Sequence, residues 1–421
     1  MRDFRDLLIG ILKKKEISVY CLYDEIRESA ELFFIGKAID LTRKKRAREL
    51  KLTVYRDFER GGQKYRGSSS LYIYPEYDSM RIEKLIDDAY ASALYVENPY
   101  FDLPEGRTEE RIVTESALKN GTLMDSAAAM AAALYEADCE AEAWVNSSEF
   151  FSEKKTVRII TSAGTDVSYV KFNVNGEFVT QSKANGNDVE LHWQFEYDEP
   201  AEDAIRQKCA QALKTVRDRA MAVKAPADLS GIPIVLCDGA VRDFLGFYLD
   251  RANAGMVYPG YSDYETGFDV FKDAKGEKPD IVMLPDAPYS EEGVRTEEHK
   301  LLEDGVVKNL HGSVMYSSYI GIPQIGVYNR VRCRCGQTPV SELKREPCIV
   351  VKSFSDFQVD KMDGYFGGEF RLAYLYKDGE KTVLTGGTVS GNIFEAQKNL
   401  KFSSEKYEDA LYEGPAAVRI G

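Results

Sequence analysis

The side chains best suited to hold a catalytic metal are few and widely spaced in this chain. It has only three histidines, His192, His299 and His311. None lies three or four residues from another, so no helix can present two imidazoles to one metal ion. His192 falls on the polar side of an alternating stretch, and we interpret it as a solvent-facing strand residue.

One close pair of thiols offers a second route to a metal site. Cys333 and Cys335 are separated by a single residue, and alternate residues of a strand point to the same side. A metal would need two more ligands, for which His311 and Cys348 are the candidates. Arginines beside the two thiols favour a polar edge strand as the simpler interpretation.

Sequence motifs for a catalytic nucleophile or a phosphate-binding loop give no stronger evidence for a catalytic site than the candidate metal ligands do. The chain has no G-x-S-x-G elbow. The glycine-rich segments 365–368 and 385–387 lack the pattern of a phosphate-binding loop and are interpreted as turns. From the residues alone, no catalytic centre is identified.

Composition narrows the class of protein. The 421 residues include 55 Lys and Arg against 69 Asp and Glu, a formal charge of −14, which argues against direct binding of nucleic acid. The basic cluster 43–48 is interpreted as a solvated turn or a partner-facing surface. Seven scattered cysteines predict reduced thiols in a cytoplasmic protein, and no apolar run reaches the length of a membrane span.

The order of predicted elements indicates an α+β fold in three regions. Residues 1–100 are predicted to form a small sheet followed by a helix, and residues 101–225 a helix, a meander and a helix. In that meander, Asn175 and Gly176 predict a hairpin turn. Residues 226–421 form a larger, strand-rich region. Within it, 386–395 is predicted to run from a loop into a helix, with Ser390 as the N-cap.

Three segments of the C-terminal half resemble the TldD/PmbA (TldE) family, whose members are also called modulators of DNA gyrase. The segments are LEDGVVKNL at 302–310, TGGTVSGNIFEAQKNL at 385–400 and EGPAAVRI at 413–420. The order of the predicted elements resembles that family over nearly the whole chain. The resemblance implies a cytoplasmic zinc peptidase system that acts on unfolded or short peptides.

The zinc motif of that family is replaced here. Its active-type subunit carries HExxxH on the helix after the first strand of the C-terminal domain, and a later cysteine completes the site. In this chain Asp243 and Tyr248 stand where the histidines would be, and Phe244 where the glutamate would be. One carboxylate without an imidazole does not retain zinc tightly, and a phenyl ring cannot move a proton.

The substituted motif resembles the TldE/PmbA type, and it implies a non-catalytic subunit that supports peptide binding and assembly. No cofactor is expected in this chain, and zinc is expected only in a TldD-like partner. Two alternatives remain: a stand-alone metallopeptidase with a displaced site near His311, Cys333 and Cys335, and a homodimeric peptide-binding protein. No link to membranes is expected.

Peptide contacts are predicted in two places of the C-terminal region. Asn329 and Arg330 offer polar groups to an extended chain, and so does the loop 387–392. The residues predicted within that loop are Gly387, Ser390, Gly391 and Asn392. The alternative is that these residues only cap and turn the C-terminal fold.

Overall fold

Seven strands of the N-terminal half form one large, mostly antiparallel sheet. The computed structural model describes residues 4–421. The strands are β1 (Tyr20–Ile35), β2 (Ala38–Arg60), β3 (Gln63–Ile73), β4 (Ile112–Val113), β5 (Ala143–Thr161), β6 (Asp166–Ser182) and β7 (Val189–Tyr197). The order is β3-β2-β1-β5-β6, and both β4 and β7 pair with β6. Because β1 pairs with β5, the predicted regions 1–100 and 101–225 share this sheet.

Four helices cover one side of the sheet and leave the other side for the C-terminal half. They are α1 (Phe4–Lys14), α2 (Ser79–Ser92), α3 (Leu123–Glu136) and α4 (Glu202–Ala220). Apolar residues at helical spacing on α1 and α2 pack on β1 to β3, and those on α3 and α4 pack on β5 to β7. The N-terminal sheet therefore has one face buried under helices and one face that is open or in contact with the C-terminal half.

The C-terminal half contains two further sheets. Its strands are β8 (Val223–Lys224), β9 (Ile234–Cys237), β10 (Ile281–Leu284), β11 (His299–Glu303), β12 (Val306–Val307), β13 (Arg330–Cys333), β14 (Cys348–Val359), β15 (Tyr365–Lys377), β16 (Glu380–Thr385), β17 (Gly387–Asn392), β18 (Leu400–Phe402), β19 (Lys406–Asp409), β20 (Tyr412–Pro415) and β21 (Ala417–Ile420). One sheet has the order β12-β11-β10-β13-β20-β19, and the other has the order β18-β21-β9-β14-β15-β16-β8 with β17 paired to β15.

Helix α5 (Gly239–Arg251) follows β9 and is buried between these two sheets. The other helices of this half are short: α6 (Ala254–Val257), α7 (Val314–Ile320), α8 (Val340–Leu343) and α9 (Ile393–Ala396). Phe244, Leu245 and Tyr248 of α5 are fully buried in one cluster with residues of both sheets. This packing fixes the helix whose first turn reaches the site described below.

The α+β prediction is confirmed, but several local predictions are wrong. Asn175 and Gly176 do not form a turn, because β6 runs straight through them. A Cβ on Gly176 would lie 2.0 Å from the carbonyl oxygen of Glu149 and 2.7 Å from the ring of Phe195. This glycine is therefore required by close packing of three strands and not by a turn.

The segment 386–395 does run into a helix, α9, but its predicted loop is strand β17 and the helix begins only at Ile393. Ser390 of β17 pairs with Gly367, so the glycine-rich segment 365–368 also lies in a strand, β15, and not in a turn. The N-cap of α9 is Asn392, whose side-chain oxygen accepts a hydrogen bond from the N–H of Phe394 at 2.9 Å. A pairing partner distant in sequence outweighs the local preference of serine for a cap.

The basic cluster 43–48 lies in the middle of β2 and not in a turn. Its arginines pair with acidic residues of the neighbouring strand β1, as in the 2.7 Å contact between Arg48 and Asp24 and the contact of Arg43 with Glu31. These cross-strand pairs neutralise much of the cluster. No helix in residues 4–421 combines the length and the apolar character needed to cross a membrane.

Candidate functional site

A large cleft lies between the open face of the N-terminal sheet, helix α4 and the C-terminal half. Its volume is about 2510 Å³. The walls come from β1, β2, β6 and β7 on one side and from the first turn of α5, the segment 285–292, β14 and β19 on the other. We call it the central cleft. It is several times larger than a typical small-molecule pocket.

The first turn of α5 brings a network of ion pairs to the wall of the central cleft. Arg242 donates to Asp243 at 2.8 Å and to Asp409 of β19 at 2.8 Å. Asp238, at the junction of β9 and α5, accepts from Lys352 of β14 at 2.7 Å. Asp238 has φ 53° and ψ −122°, a conformation that non-glycine residues rarely adopt. These ion pairs join three separate elements at one point.

Lys208 of α4 faces the same corner of the cleft. Burial lowers its pKa, while the nearby carboxylates Asp409 and Asp238 act in the opposite direction. No carboxylate among the described residues lies within 4.0 Å of its nitrogen. The ammonium group of Lys208 is thus available to a bound molecule.

Asn329 and Arg330, predicted as peptide-binding residues, both line the central cleft. Arg330 donates to Asp198, just after β7, at 2.7 Å, which connects the C-terminal half to the N-terminal sheet. Asp286 lies beside this pair. Burial raises the pKa of Asp286, although Lys171 and Arg330 act to lower it.

The other predicted peptide contacts are not on the cleft wall. Gly387, Ser390, Gly391 and Asn392 belong to β17, and none of them lines the central cleft. A Cβ on Gly387 would lie 2.4 Å from the ring of Phe370, so this position is closely packed. The structure brings Asn329 and Arg330 to the cleft and places the 387–392 segment elsewhere.

The three positions of the replaced zinc motif do not point to one place. Asp243 lines the central cleft, whereas Phe244 and Tyr248 are fully buried in the core. Phe244 packs edge-on against Phe366, with ring centroids 5.6 Å apart. Phe244 and Tyr248 lie in apolar surroundings, and the carboxylate of Asp243 is already bound to Arg242. These three positions therefore do not fit the ligand set of a zinc ion.

His311 is a buried structural residue rather than a free ligand. Its Nδ1 accepts from the N–H of Tyr328 at 3.2 Å, and its Nε2 donates to the carbonyl oxygen of Leu249 at 3.0 Å. Burial lowers its pKa to about 4. Both ring nitrogens are therefore occupied in a neutral imidazole.

The predicted thiol ligands are not brought together with His311. Cys333 is buried, and burial raises the pKa of its thiol, while Cys335 lies beyond the end of β13. Within residues 4–421, no three His, Cys, Asp or Glu side chains are grouped as a metal site would require.

Several cleft residues had no signal in the sequence. Lys208, Lys352 and Asp409 belong to three elements that are far apart along the chain and meet only in the fold. Arg242 is the exception, since it adjoins Asp243 of the replaced motif.

An N-terminal sheet covered by helices, joined to a two-sheet domain with a central helix, defines the class of fold. Three solved structures share this fold over nearly their full lengths. One, from Thermotoga maritima, is described as a modulator of a DNA gyrase; it has 17% sequence identity and a TM-score of 0.73, covering 99% of this chain and 98% of the other. TldE from Thermococcus kodakarensis has 13% identity and a TM-score of 0.74, covering 99% and 98%. A protein from Bacteroides thetaiotaomicron, also described as a modulator of DNA gyrase, has 13% identity and a TM-score of 0.74, covering 100% of this chain and 98% of the other.

The C-terminal half supplies the sequence evidence for the family. Residues 230–420 match the family model described as the PmbA/TldA metallopeptidase C-terminal domain. No curated protein matches the chain. Residues 230–420 therefore carry the C-terminal domain of the TldD/PmbA family, in the region where the sequence segments resemble that family.

Proposed function

We propose that this chain is a non-catalytic, TldE-type subunit of a cytoplasmic peptidase system. It binds unfolded or short peptides in the central cleft and pairs with a TldD-type relative that carries the zinc. The observation that carries this proposal is the cleft-facing surface of α5, where Arg242 and Asp243 bind each other and no imidazole is present. A helix with this surface has neither ligands nor a general base for zinc-dependent hydrolysis.

The cleft itself supports a role in peptide binding. Two of its walls end in edge strands, since among the strands within residues 4–421 β7 pairs only with β6 and β19 pairs only with β20. An extended peptide can add to such an edge through main-chain hydrogen bonds, which do not depend on side-chain sequence. A volume of about 2510 Å³ accommodates a peptide of several residues.

The test is co-expression with a TldD-type relative that carries HExxxH. We expect the two chains to purify as a complex, and the complex to hydrolyse an unfolded peptide that this chain alone leaves intact. The control is the same complex with the motif glutamate of the partner changed to glutamine, which removes the general base and should abolish hydrolysis.

Two outcomes would overturn the proposal. If this chain hydrolyses the peptide alone, with metal dependence, it is the stand-alone metallopeptidase. If it stays unpaired in the presence of the relative and binds peptides as a homodimer, it is the peptide-binding protein of the second alternative.

A further inference from the structure

The described residues that line the central cleft carry an excess of negative charge. They include thirteen Asp or Glu and eight Lys or Arg, a formal charge of −5. Walls of one charge sign concentrate the electrostatic potential inside a cleft, where water screens it less than at an open surface. The excess therefore acts on any charged ligand that enters.

Within residues 4–421, ion pairs in the cleft walls engage most of the basic side chains but leave several carboxylates without a basic partner. Seven of the eight basic side chains have a carboxylate within 4.0 Å, which leaves Lys208 as the single unpaired cation among the described lining residues. Five lining carboxylates have no Lys, Arg or His nitrogen within that distance among the described residues: Glu196, Glu199, Asp286, Glu292 and Asp356.

Two of these carboxylates lie on the same short segment after β10. Asp286 is exposed to the cleft, and Glu292 is partly buried with one oxygen accepting from the N–H of Val314 at 3.0 Å. Partial desolvation by the surrounding cleft walls raises the pKa of both carboxyl groups, because it destabilises their charged forms. A cationic group of a ligand placed beside them would stabilise those charged forms.

Aromatic rings complete the environment of a basic side chain. Eleven aromatic residues line the cleft, and Tyr169 lies close enough to Asp286 for the carboxylate to affect its pKa. The aliphatic stem of a lysine or arginine packs on such rings, and its charged end is attracted to their faces.

We propose that the central cleft prefers peptides that carry Lys or Arg side chains, and that Asp286 receives one of these side chains. Asp286 is chosen because it is exposed to the cleft and has no basic partner, while its neighbours Lys171 and Arg330 are bound by Asp198. This inference rests on the proposed peptide-binding function and adds the class of peptide to it.

The test compares three unfolded, fluorescently labelled peptides of equal length that carry Lys, Gln or Glu at the same positions. Binding to the full chain is measured by fluorescence anisotropy at low and moderate salt. We expect the Lys peptide to bind about tenfold more tightly than the Glu peptide, with the difference shrinking as salt rises.

Variants test the assignment of Asp286. Asp286→Asn should weaken binding of the Lys peptide about threefold to fivefold, the size expected for a partly exposed ion pair, and should leave the Gln peptide unchanged. Asp286→Glu keeps the charge and should retain the preference. Asp40→Asn is the matched control, because Asp40 is exposed on β2 outside the cleft.

Each outcome decides a different point. Equal affinity for all three peptides would overturn the preference and leave peptide binding intact. An unchanged Lys preference in Asp286→Asn would overturn the role of Asp286. If none of the three peptides binds, the peptide-binding function itself is wrong, and the preference falls with it.

Discussion

At the scale of single residues, His311 makes the stability of the protein depend on pH. Its pKa is about 4 in the folded protein against 6.5 for an ordinary histidine. Between these values the unfolded chain binds a proton that the folded chain excludes, so the free energy of unfolding falls as pH falls. We expect this residue to account for a loss of about 2 kcal/mol between pH 7 and pH 5.

Urea unfolding at both pH values measures this effect. His311→Gln is the comparison, because an amide can replace both hydrogen bonds but does not titrate. The variant should be less stable at pH 7 and should lose less stability on acidification than the natural chain. An equal loss in both proteins would show that His311 is not the group responsible.

The replaced zinc motif gives a second prediction at this scale. Phe244→Glu places a carboxylate without a partner in the fully buried core, and we expect it to cost more than about 3 kcal/mol. Asp243→His changes a cleft-facing residue and removes only its partly exposed ion pair with Arg242, a cost of about 1 kcal/mol or less.

Thermal unfolding of these two variants distinguishes the positions. Phe244→Glu should unfold at a much lower temperature than Asp243→His. Similar unfolding temperatures would mean that Phe244 is not a tightly packed core residue of α5 and that this position tolerates a charged side chain.

At the scale of elements, the contrast between two glycines tests the long sheet. Gly176→Ala forces a methyl group against the backbone of β5 and should destabilise the protein by several kcal/mol. Gly246→Ala is the matched control, because no atom lies within 4 Å of the place that a Cβ would take there on α5, and alanine favours a helix by up to about 1 kcal/mol. Urea unfolding checks both, and equal stabilities would contradict the strand pairing at Gly176.

Several helices and strands were predictable because their patterns are local. The apolar spacing of α2 and α4 and the alternation over Val189–Tyr197 each match an observed element. The long strands were not predictable as units. The apolar runs 18–23 and 30–35 indicate two short strands when taken alone. Both lie in β1, because the charged residues between them pair across to β2 and β5.

The candidate site was predictable only in part for the same reason. Asp243 was found through the replaced motif, and Asn329 and Arg330 through their polar groups in the C-terminal region. Lys208 and Asp409 are contributed by α4 and β19, whose meeting depends on the tertiary arrangement. No periodicity or motif in a single segment carries that information.

At the scale of the whole molecule, the central cleft is a product of both halves of the chain. The N-terminal sheet supplies β7, the C-terminal half supplies α5 and β19, and the ion pair of Arg330 with Asp198 joins them. Breaking that pair with Arg330→Ala should weaken binding of the Gln peptide by the full chain, measured by anisotropy, because Asp198 then keeps only Lys171 of its own sheet as a partner and the ion pair between the two halves is lost. Arg345→Ala, a solvent-exposed arginine outside the cleft, is the control.

The proposed role of this chain depends most on the replacement of the zinc motif at Asp243, Phe244 and Tyr248. The most direct test is the zinc content of the purified, untagged chain, measured by elemental mass spectrometry. We predict less than about a tenth of an equivalent of zinc per chain, because Asp243, Phe244 and Tyr248 offer no imidazole at the positions of the motif. A content of about one equivalent would contradict this role and would show that the chain holds a metal site of its own.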